Sequence, residues 1–147
     1  HGFTLIELIV VLGVIGLIVA VSVPALTQYA QQVRLKTSTR EVVGLLSLAR
    51  SLAISSRKAK TVLVDPHLRE LSIVETATQG EPKKVTLFSS VGLVVQTQGA
   101  SSQSGPIQVI FTPSGALSGG SVSLVLSSGT KMHTVTVTGA TGAILVQ

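Results

Sequence analysis

The sequence contains no cysteine, so it has neither a disulfide framework nor thiol chemistry. Aromatic residues make up only 3% of the chain, and Val, Leu, Ile and Ala must therefore build any hydrophobic core. Charged residues are only 12% of the total, so the net charge of +5 is not that of a domain that coats nucleic acid. The carboxylates are too few and too scattered to form a calcium site.

The constellations that catalysis requires are also missing. The three histidines, His1, His67 and His133, are far apart in sequence, and none forms a metal-binding pair on a helix. Asp65 is the only aspartate and is better explained as a turn residue. The glycine-rich segment 115–120 lacks the lysine of a phosphate-binding loop. The sequence therefore predicts no enzyme activity, no bound metal and no cofactor.

What the sequence does contain is a long apolar segment close to its beginning. There is no charged side chain from Leu8 to Val33. As a helix, Leu8 to Leu26 would be roughly 28 Å long, close to the ~30 Å hydrocarbon core of a bilayer. A secretory signal peptide would be shorter and would follow basic residues, whereas no Lys or Arg precedes this run. We therefore expect a membrane-spanning helix.

Glu7 lies at the edge of this apolar segment, and its carboxylate is the one group there whose charge has to be accounted for. A carboxylate buried there without a partner is costly, so it needs a cation or a place at the membrane surface. If the chain were cut before Phe3, the new α-amino group would be cationic at neutral pH and could pair with Glu7 of a neighbouring subunit. Alternatively, Glu7 extends to the interface of a monomeric anchor.

The apolar segment continues into an amphipathic one, and the pattern predicts a single helix from residue 3 to about residue 58. Pro24 lacks an N–H and is expected to kink or locally melt this helix. Gly13 and Gly16 are either tolerated by lipid or permit close approach of another helix. The basic residues between 34 and 60 form a solvated face or bias the orientation in the membrane. The apolar stripe of the second half consists of Leu35, Val42, Leu45, Leu46, Ala49, Leu52 and Ala53.

After residue 60 the period of the pattern changes from 3.6 to 2, which predicts β-strands joined by glycine turns. One helix followed by many strands indicates an α+β fold, with the amphipathic half of the helix packed on an antiparallel sheet or small sandwich. Turns are expected at 65–68, 113–115 and 128–129, and a flexible loop at 98–106. The predicted strands are 61–64, 70–74, 84–88, 93–96, 107–111, 121–126, 132–138 and 143–146.

Residues 2–7, Gly-Phe-Thr-Leu-Ile-Glu, followed by an uncharged run and Pro24, resemble the N-terminal signature of type IV pilins and type II secretion pseudopilins. The layout of a long helix and then a sheet extends the resemblance over the whole chain. Two further segments, Leu48–Ile54 and Ile107–Gly115, resemble the GspH/FimT subgroup of minor pseudopilins.

This resemblance implies specific roles for the residues around the apolar segment. The bond between Gly2 and Phe3 would be cut by a prepilin peptidase, and Phe3 would become the N-methylated first residue. Glu7 would pair with the N-terminus of a neighbour during assembly. Pro24 matches the proline near which pilin helices often unwind in filaments. The sequence departs from the family at His1, where Lys or Arg is common.

The resemblance also implies a domain organisation and a location. Residues 1–2 would be a leader remnant, residues 3–26 the membrane and filament-core helix, and residues 27–147 a periplasmic or extracellular globular domain. The chain would be a single-pass protein of the bacterial inner membrane before assembly into a periplasmic pseudopilus or a cell-surface pilus. Its implied partners are other pilin-like subunits, the inner-membrane assembly platform and the prepilin peptidase.

Two functions are compatible with these features. The favoured one is a structural subunit that polymerises through its N-terminal helix, and the alternative is a pilus-tip subunit that captures DNA or surfaces. Some FimT-like proteins bind DNA through a basic Gly-Arg-x-Arg element near the C-terminus, but residues 139–147 contain no basic residue. Lys83, Lys84 and Lys131 leave only weak electrostatic binding to DNA open.

Overall fold

The structure is a computed structural model, which describes residues 2–74, 83–97 and 105–147, apart from the side chains of residues 24 and 25. One helix comes first, and all the described strands follow it. The elements are α1 (Leu5–Ser56), β1 (Lys60–Asp65), β2 (Glu70–Val74), β3 (Lys84–Thr86), β4 (Gly92–Thr97), β5 (Ile107–Phe111), β6 (Leu117–Ser118), β7 (Val122–Ser128), β8 (Lys131–Val137) and β9 (Ile144–Val146). This order confirms the predicted α+β class.

Helix α1 is a single element, as the sequence predicts, but it is slightly shorter at both ends. Thr4 is the N-cap, with an extended backbone, so Phe3 lies outside the helix. Arg57 adopts the left-handed conformation (φ 52°), and its N–H donates to the carbonyl of Ile54, which ends the helix at Ser56 rather than at residue 58. The helical backbone continues through position 24, so the local melting expected at Pro24 is not found.

The strands form two antiparallel sheets whose order differs from the order along the chain. The first sheet has the order β3-β2-β1-β5-β6, and the second has the order β4-β7-β8-β9. Strand β1 therefore pairs with distant β5, and β4 pairs with β7. The sequence predicted the strands but left open whether they form one sheet or two.

The apolar stripe of α1 lies in one core with the inner faces of both sheets. Of the stripe predicted from the sequence, six residues are buried and Leu52 is partly buried. The strands contribute alternate residues, for example Val62 and Val64 from β1 and Leu124 and Leu126 from β7. The helix face predicted by the 3.6-residue period and the strand faces predicted by the 2-residue period therefore pack together in a single hydrophobic core.

Three details of the strand prediction need correction or completion. Strand β3 ends at Thr86 rather than at residue 88, because the chain turns where the N–H of Val91 donates to the carbonyl of Phe88. The short strand β6 was not predicted, since Leu117 and Ser118 lie within a glycine-rich segment. Most of the loop expected at 98–106 falls outside the described residues.

The turn predicted at 65–68 is confirmed. The side-chain oxygen Oδ1 of Asp65 accepts hydrogen bonds from the N–H groups of His67 (2.9 Å) and Leu68 (3.0 Å). Such a turn is a common structural use of aspartate. Asp65 is thus a turn residue, as expected.

Candidate functional site

The first half of α1 is exposed along its entire described length. Every described side chain from residue 2 to residue 29 is exposed, including large apolar ones such as Leu17 and Leu26. By length and composition this helix is able to cross a membrane. An exposed apolar surface of this size marks a site of interaction with a membrane or with another protein.

The N-terminal turn of α1 holds the residues on which the processing and assembly predictions depend. Oγ1 of Thr4 accepts a hydrogen bond from the N–H of Glu7 at 3.3 Å. Glu7 lies in the first helical turn, where a carboxylate interacts favourably with the positive end of the helix dipole. Gly2 and Phe3 precede the helix, and both are exposed. The predicted cleavage bond is therefore accessible in this conformation.

Within one chain, the structure brings no cation to Glu7. Among the described residues, its carboxylate has no ion pair and no side-chain hydrogen bond, and the side chain is exposed. Phe3 is 84% exposed. The described part of the chain therefore supplies no cationic partner for the Glu7 carboxylate.

The glycines of α1 make no close packing contact with the described part of the chain. A Cβ added at Gly13, Gly16 or Gly44 would meet nothing within 4 Å. Each glycine costs a helix about 1 kcal/mol relative to Ala. For Gly13 and Gly16, this is compatible with both readings of the sequence, tolerance by lipid and close approach of another helix.

Polar contacts as well as apolar packing connect the second half of α1 to the sheets. Oγ1 of Thr39 donates to the carbonyl of Leu35 (2.8 Å) and lies 3.0 Å from Nδ1 of His133 on β8. Because the single hydroxyl proton of Thr39 is used on Leu35, Nδ1 of His133 must be the donor in the second bond. His133 is therefore held in a structural contact.

Arg50 connects the helix to one turn of each sheet. Its Nε donates to the carbonyl of Gly115 (3.1 Å) in the β5–β6 turn, and its Nη2 donates to the carbonyl of Thr141 (3.0 Å) in the β8–β9 turn. The two turns approach so closely that a Cβ on Gly142 would lie 1.8 Å from the carbonyl oxygen of Gly115. The helix and the two sheets thus form one unit at this end.

The basic residues considered for DNA binding do not form one strong cationic site. Nζ of Lys84 pairs with Oε2 of Glu70 at 2.7 Å, and this neutralises the charge of Lys84 locally. Lys83 precedes Lys84 next to the first sheet, whereas Lys131 begins β8 in the second sheet. Within the described ranges, no group of three or more His, Asp or Glu side chains is placed to hold a metal ion.

Neither the Thr4 cap nor the contacts of Arg50 were predicted from the sequence, although the cap has a recognisable sequence pattern. A Thr followed three residues later by Glu, as at Thr4 and Glu7, is the pattern of a helix capping box. Nothing in the sequence marks Arg50, because its two acceptors are backbone carbonyls far away in the chain. Its role depends on tertiary structure alone.

A long helix with an exposed apolar first half and a second half packed on antiparallel sheets defines the pilin-like class of folds. Comparisons with known proteins agree with this class. The model of the family described as type II transport protein GspH matches residues 38–141, and the prokaryotic N-terminal methylation motif matches residues 1–23. The GspH match covers more than half of the chain, which therefore belongs to the GspH family.

Solved structures with a similar fold include two minor subunits. The type IV minor pilin FimU of Pseudomonas aeruginosa is 18% identical, with a TM-score of 0.60 over 81% of this chain and 92% of FimU. The minor pseudopilin EpsH from the type II secretion system of Vibrio cholerae is 16% identical, with a TM-score of 0.63 over 77% of this chain and 94% of EpsH. A comparison with curated protein sequences gives no match. The family and fold are those of structural pilin subunits rather than of enzymes.

Proposed function

We propose that this chain is a structural subunit of a type IV pilus-like filament or a type II secretion pseudopilus, and that it polymerises through its N-terminal helix. The observation that carries the proposal is the fully exposed apolar half of α1, which nothing in the described chain covers. Lipid would cover this surface before assembly, and the helices of other pilin-like subunits would cover it afterwards. The match to the GspH family supports the same role.

The proposal divides the chain at the end of the apolar segment. Residues 3–26 form the membrane anchor and later the filament core, and residues 27–147 form the globular domain on the periplasmic or extracellular side. Residues 1–2 are a leader remnant that is removed when a prepilin peptidase cuts between Gly2 and Phe3. The methylation motif at 1–23 and the exposure of both residues support this processing step.

Glu7 is proposed to pair with the N-terminal amine of Phe3 in a neighbouring subunit. Its carboxylate has no partner among the described residues of its own chain, and it lies next to the apolar surface that assembly would bury. Removing one member of a buried ion pair typically costs ~3–5 kcal/mol, because the other charge is left unpaired. The pair would therefore set the axial register between subunits.

The decisive experiment replaces Glu7 in cells that carry the assembly machinery. Glu7→Val should leave membrane insertion intact, because the apolar segment is unchanged, but should strongly reduce the amount of filament recovered by shearing or imaged by electron microscopy. Glu41→Val is the matched control, since Glu41 is exposed on the same helix within the globular domain. Normal filament yield and subunit spacing in Glu7→Val would overturn the pairing.

Processing is tested separately at Gly2. Gly2→Leu should prevent cleavage, because a large side chain would occupy the position before the scissile bond. N-terminal sequencing of the mature protein checks this directly. A Gly2→Leu chain that still began at Phe3 would show that this bond is not selected as proposed.

A further inference from the structure

A polar groove lies where α1 leaves the globular domain. It is formed by three glutamines of α1, Gln28, Gln31 and Gln32, and by the β7–β8 hairpin, residues 128–131, and its volume is about 250 Å³. We call it the junction groove. Helix and hairpin are in close contact here. A Cβ added to Gly129 would lie only 2.9 Å from Oε1 of Gln31.

The junction groove is close to the end of the apolar segment. Gln28 and Gln32 follow Leu26 by two and six residues, which corresponds to about 3 and 9 Å along a helix axis. The polar headgroup layer of a bilayer is about 5–7 Å thick on each side of the hydrocarbon core. With residues 3–26 in the membrane, the groove is therefore at the level of the lipid headgroups.

Tyr29 gives independent support for this depth. It is the only tyrosine in the chain and is 66% exposed on the same turn of α1 as Gln28. Tyrosine is enriched at the boundary between membrane and water, where its ring contacts apolar groups and its hydroxyl contacts polar ones. Its position agrees with a headgroup layer beginning just after Leu26.

The groove has the chemistry of an anion site rather than a cation site. Lys131 is the only formally charged residue in the last 63 residues of the chain (85–147), and its ammonium has no ion pair among the described residues. The groove has no acidic lining residue. Lysine binds phosphate as a point charge, and carboxamide N–H groups can donate to the same oxygens.

Ser128 adds a donor that is otherwise unused. Its hydroxyl is buried, and it makes no hydrogen bond within the described part of the chain. Buried hydroxyl groups are nearly always paired with protein, water or a ligand, and Ser128 lines the junction groove, where such a partner would lie. A phosphate oxygen accepts hydrogen bonds and would meet this need.

We propose that the junction groove binds the phosphate of a phospholipid headgroup while the chain is anchored in the membrane. This inference rests on the proposed function, since it requires residues 3–26 to lie in a bilayer. The bound headgroup holds the globular domain against the membrane surface at Lys131 and Ser128. Extraction of the subunit into a filament removes it from the bilayer and releases the lipid.

The test uses the full chain in detergent micelles and native mass spectrometry, with dioleoylphosphatidylglycerol as the probe. Dioleoylglycerol, which has the same acyl chains but no phosphate, is the matched control lipid. The wild type should retain the phospholipid and not dioleoylglycerol. Lys131→Gln should weaken retention about tenfold, the effect of losing roughly one charge-assisted hydrogen bond. Ser128→Ala should weaken it less, and Lys58→Gln, just beyond the C-terminal end of α1, should not weaken it.

Three outcomes would overturn the inference. One is equal retention of both lipids, and another is equal retention of phospholipid by the wild type and Lys131→Gln. The third is displacement of the phospholipid by millimolar inorganic phosphate, which would identify a site for free phosphate instead.

Flotation with vesicles separates this test from that of the proposed function. Wild type and Lys131→Gln should both float, whereas failure of the wild type to float would refute the membrane anchor itself.

Discussion

Oγ1 of Thr4 accepts a hydrogen bond from the N–H of Glu7, and this contact begins the helix that the whole chain is built on. The residue proposed to direct assembly is thus held in place by the residue that caps its own helix. The contact satisfies one of the N–H groups that every helix leaves unpaired at its start. It also fixes the backbone of the turn from which the Glu7 carboxylate projects.

Thr4→Ala should loosen this first turn. Loss of an N-cap costs about 1 kcal/mol, so the amide of Glu7 should exchange its hydrogen roughly fivefold faster than in the wild type. Hydrogen exchange of the full chain in micelles measures this rate. Thr4→Ser keeps the hydroxyl and should exchange like the wild type. An unchanged rate in Thr4→Ala would show that the cap does not stabilise the turn.

Arg50→Ala should destabilise the globular domain by about 2 kcal/mol, because it removes two hydrogen bonds to carbonyls in turns of different sheets. Urea unfolding of the full chain, followed by circular dichroism, gives the change in free energy of unfolding. Arg40→Ala is the matched control, since Arg40 is exposed on the same helix and makes no ion pair or hydrogen bond among the described residues. Equal effects of the two substitutions would contradict the role assigned to Arg50.

Two Gly→Ala substitutions should change stability in opposite directions. Gly142→Ala places a Cβ 1.8 Å from the carbonyl oxygen of Gly115, at a residue with φ of 62°, and should destabilise the domain by several kcal/mol. Gly44→Ala adds a methyl group in open space on a helix and should stabilise it by up to about 1 kcal/mol. Thermal unfolding of both variants measures the difference. A stable Gly142→Ala variant would mean that the two turns are not in contact.

Arg57→Gly should stabilise the chain by about 1 kcal/mol. Arg57 ends α1 in the left-handed conformation, which glycine adopts without the steric cost that a Cβ brings. Lys58→Gly, one position further along, lacks this benefit and serves as the control. The prediction fails if both substitutions lower the melting temperature equally.

The elements of this fold could be predicted from the sequence because their signals are local. Leu35, Val42, Leu46 and Ala49 recur at helical spacing, and all four are buried against the sheets. The apolar run before them has no polar face, and it is exposed as a lipid-facing segment should be. The strand pattern likewise placed eight of the nine described strands.

The arrangement of the strands could not be predicted, because it depends on contacts between distant residues. Val62 pairs with Val109, and Leu93 pairs with Leu126, yet each would have fitted several other apolar neighbours. The same limit applies to the polar connections. Arg50 cannot be distinguished in sequence from an exposed arginine, whereas the spacing of Thr4 and Glu7 is that of a capping box.

The uninterrupted helix from Leu5 to Ser56 has a mechanical consequence. No loop separates the apolar half of α1 from the buried stripe that begins at Leu35, so an axial force on the globular domain passes to Glu7 through helical backbone, although Pro24 leaves a gap in the hydrogen bonds between them. A force applied to the globular domain is therefore transmitted to the apolar half by helix rather than by flexible chain.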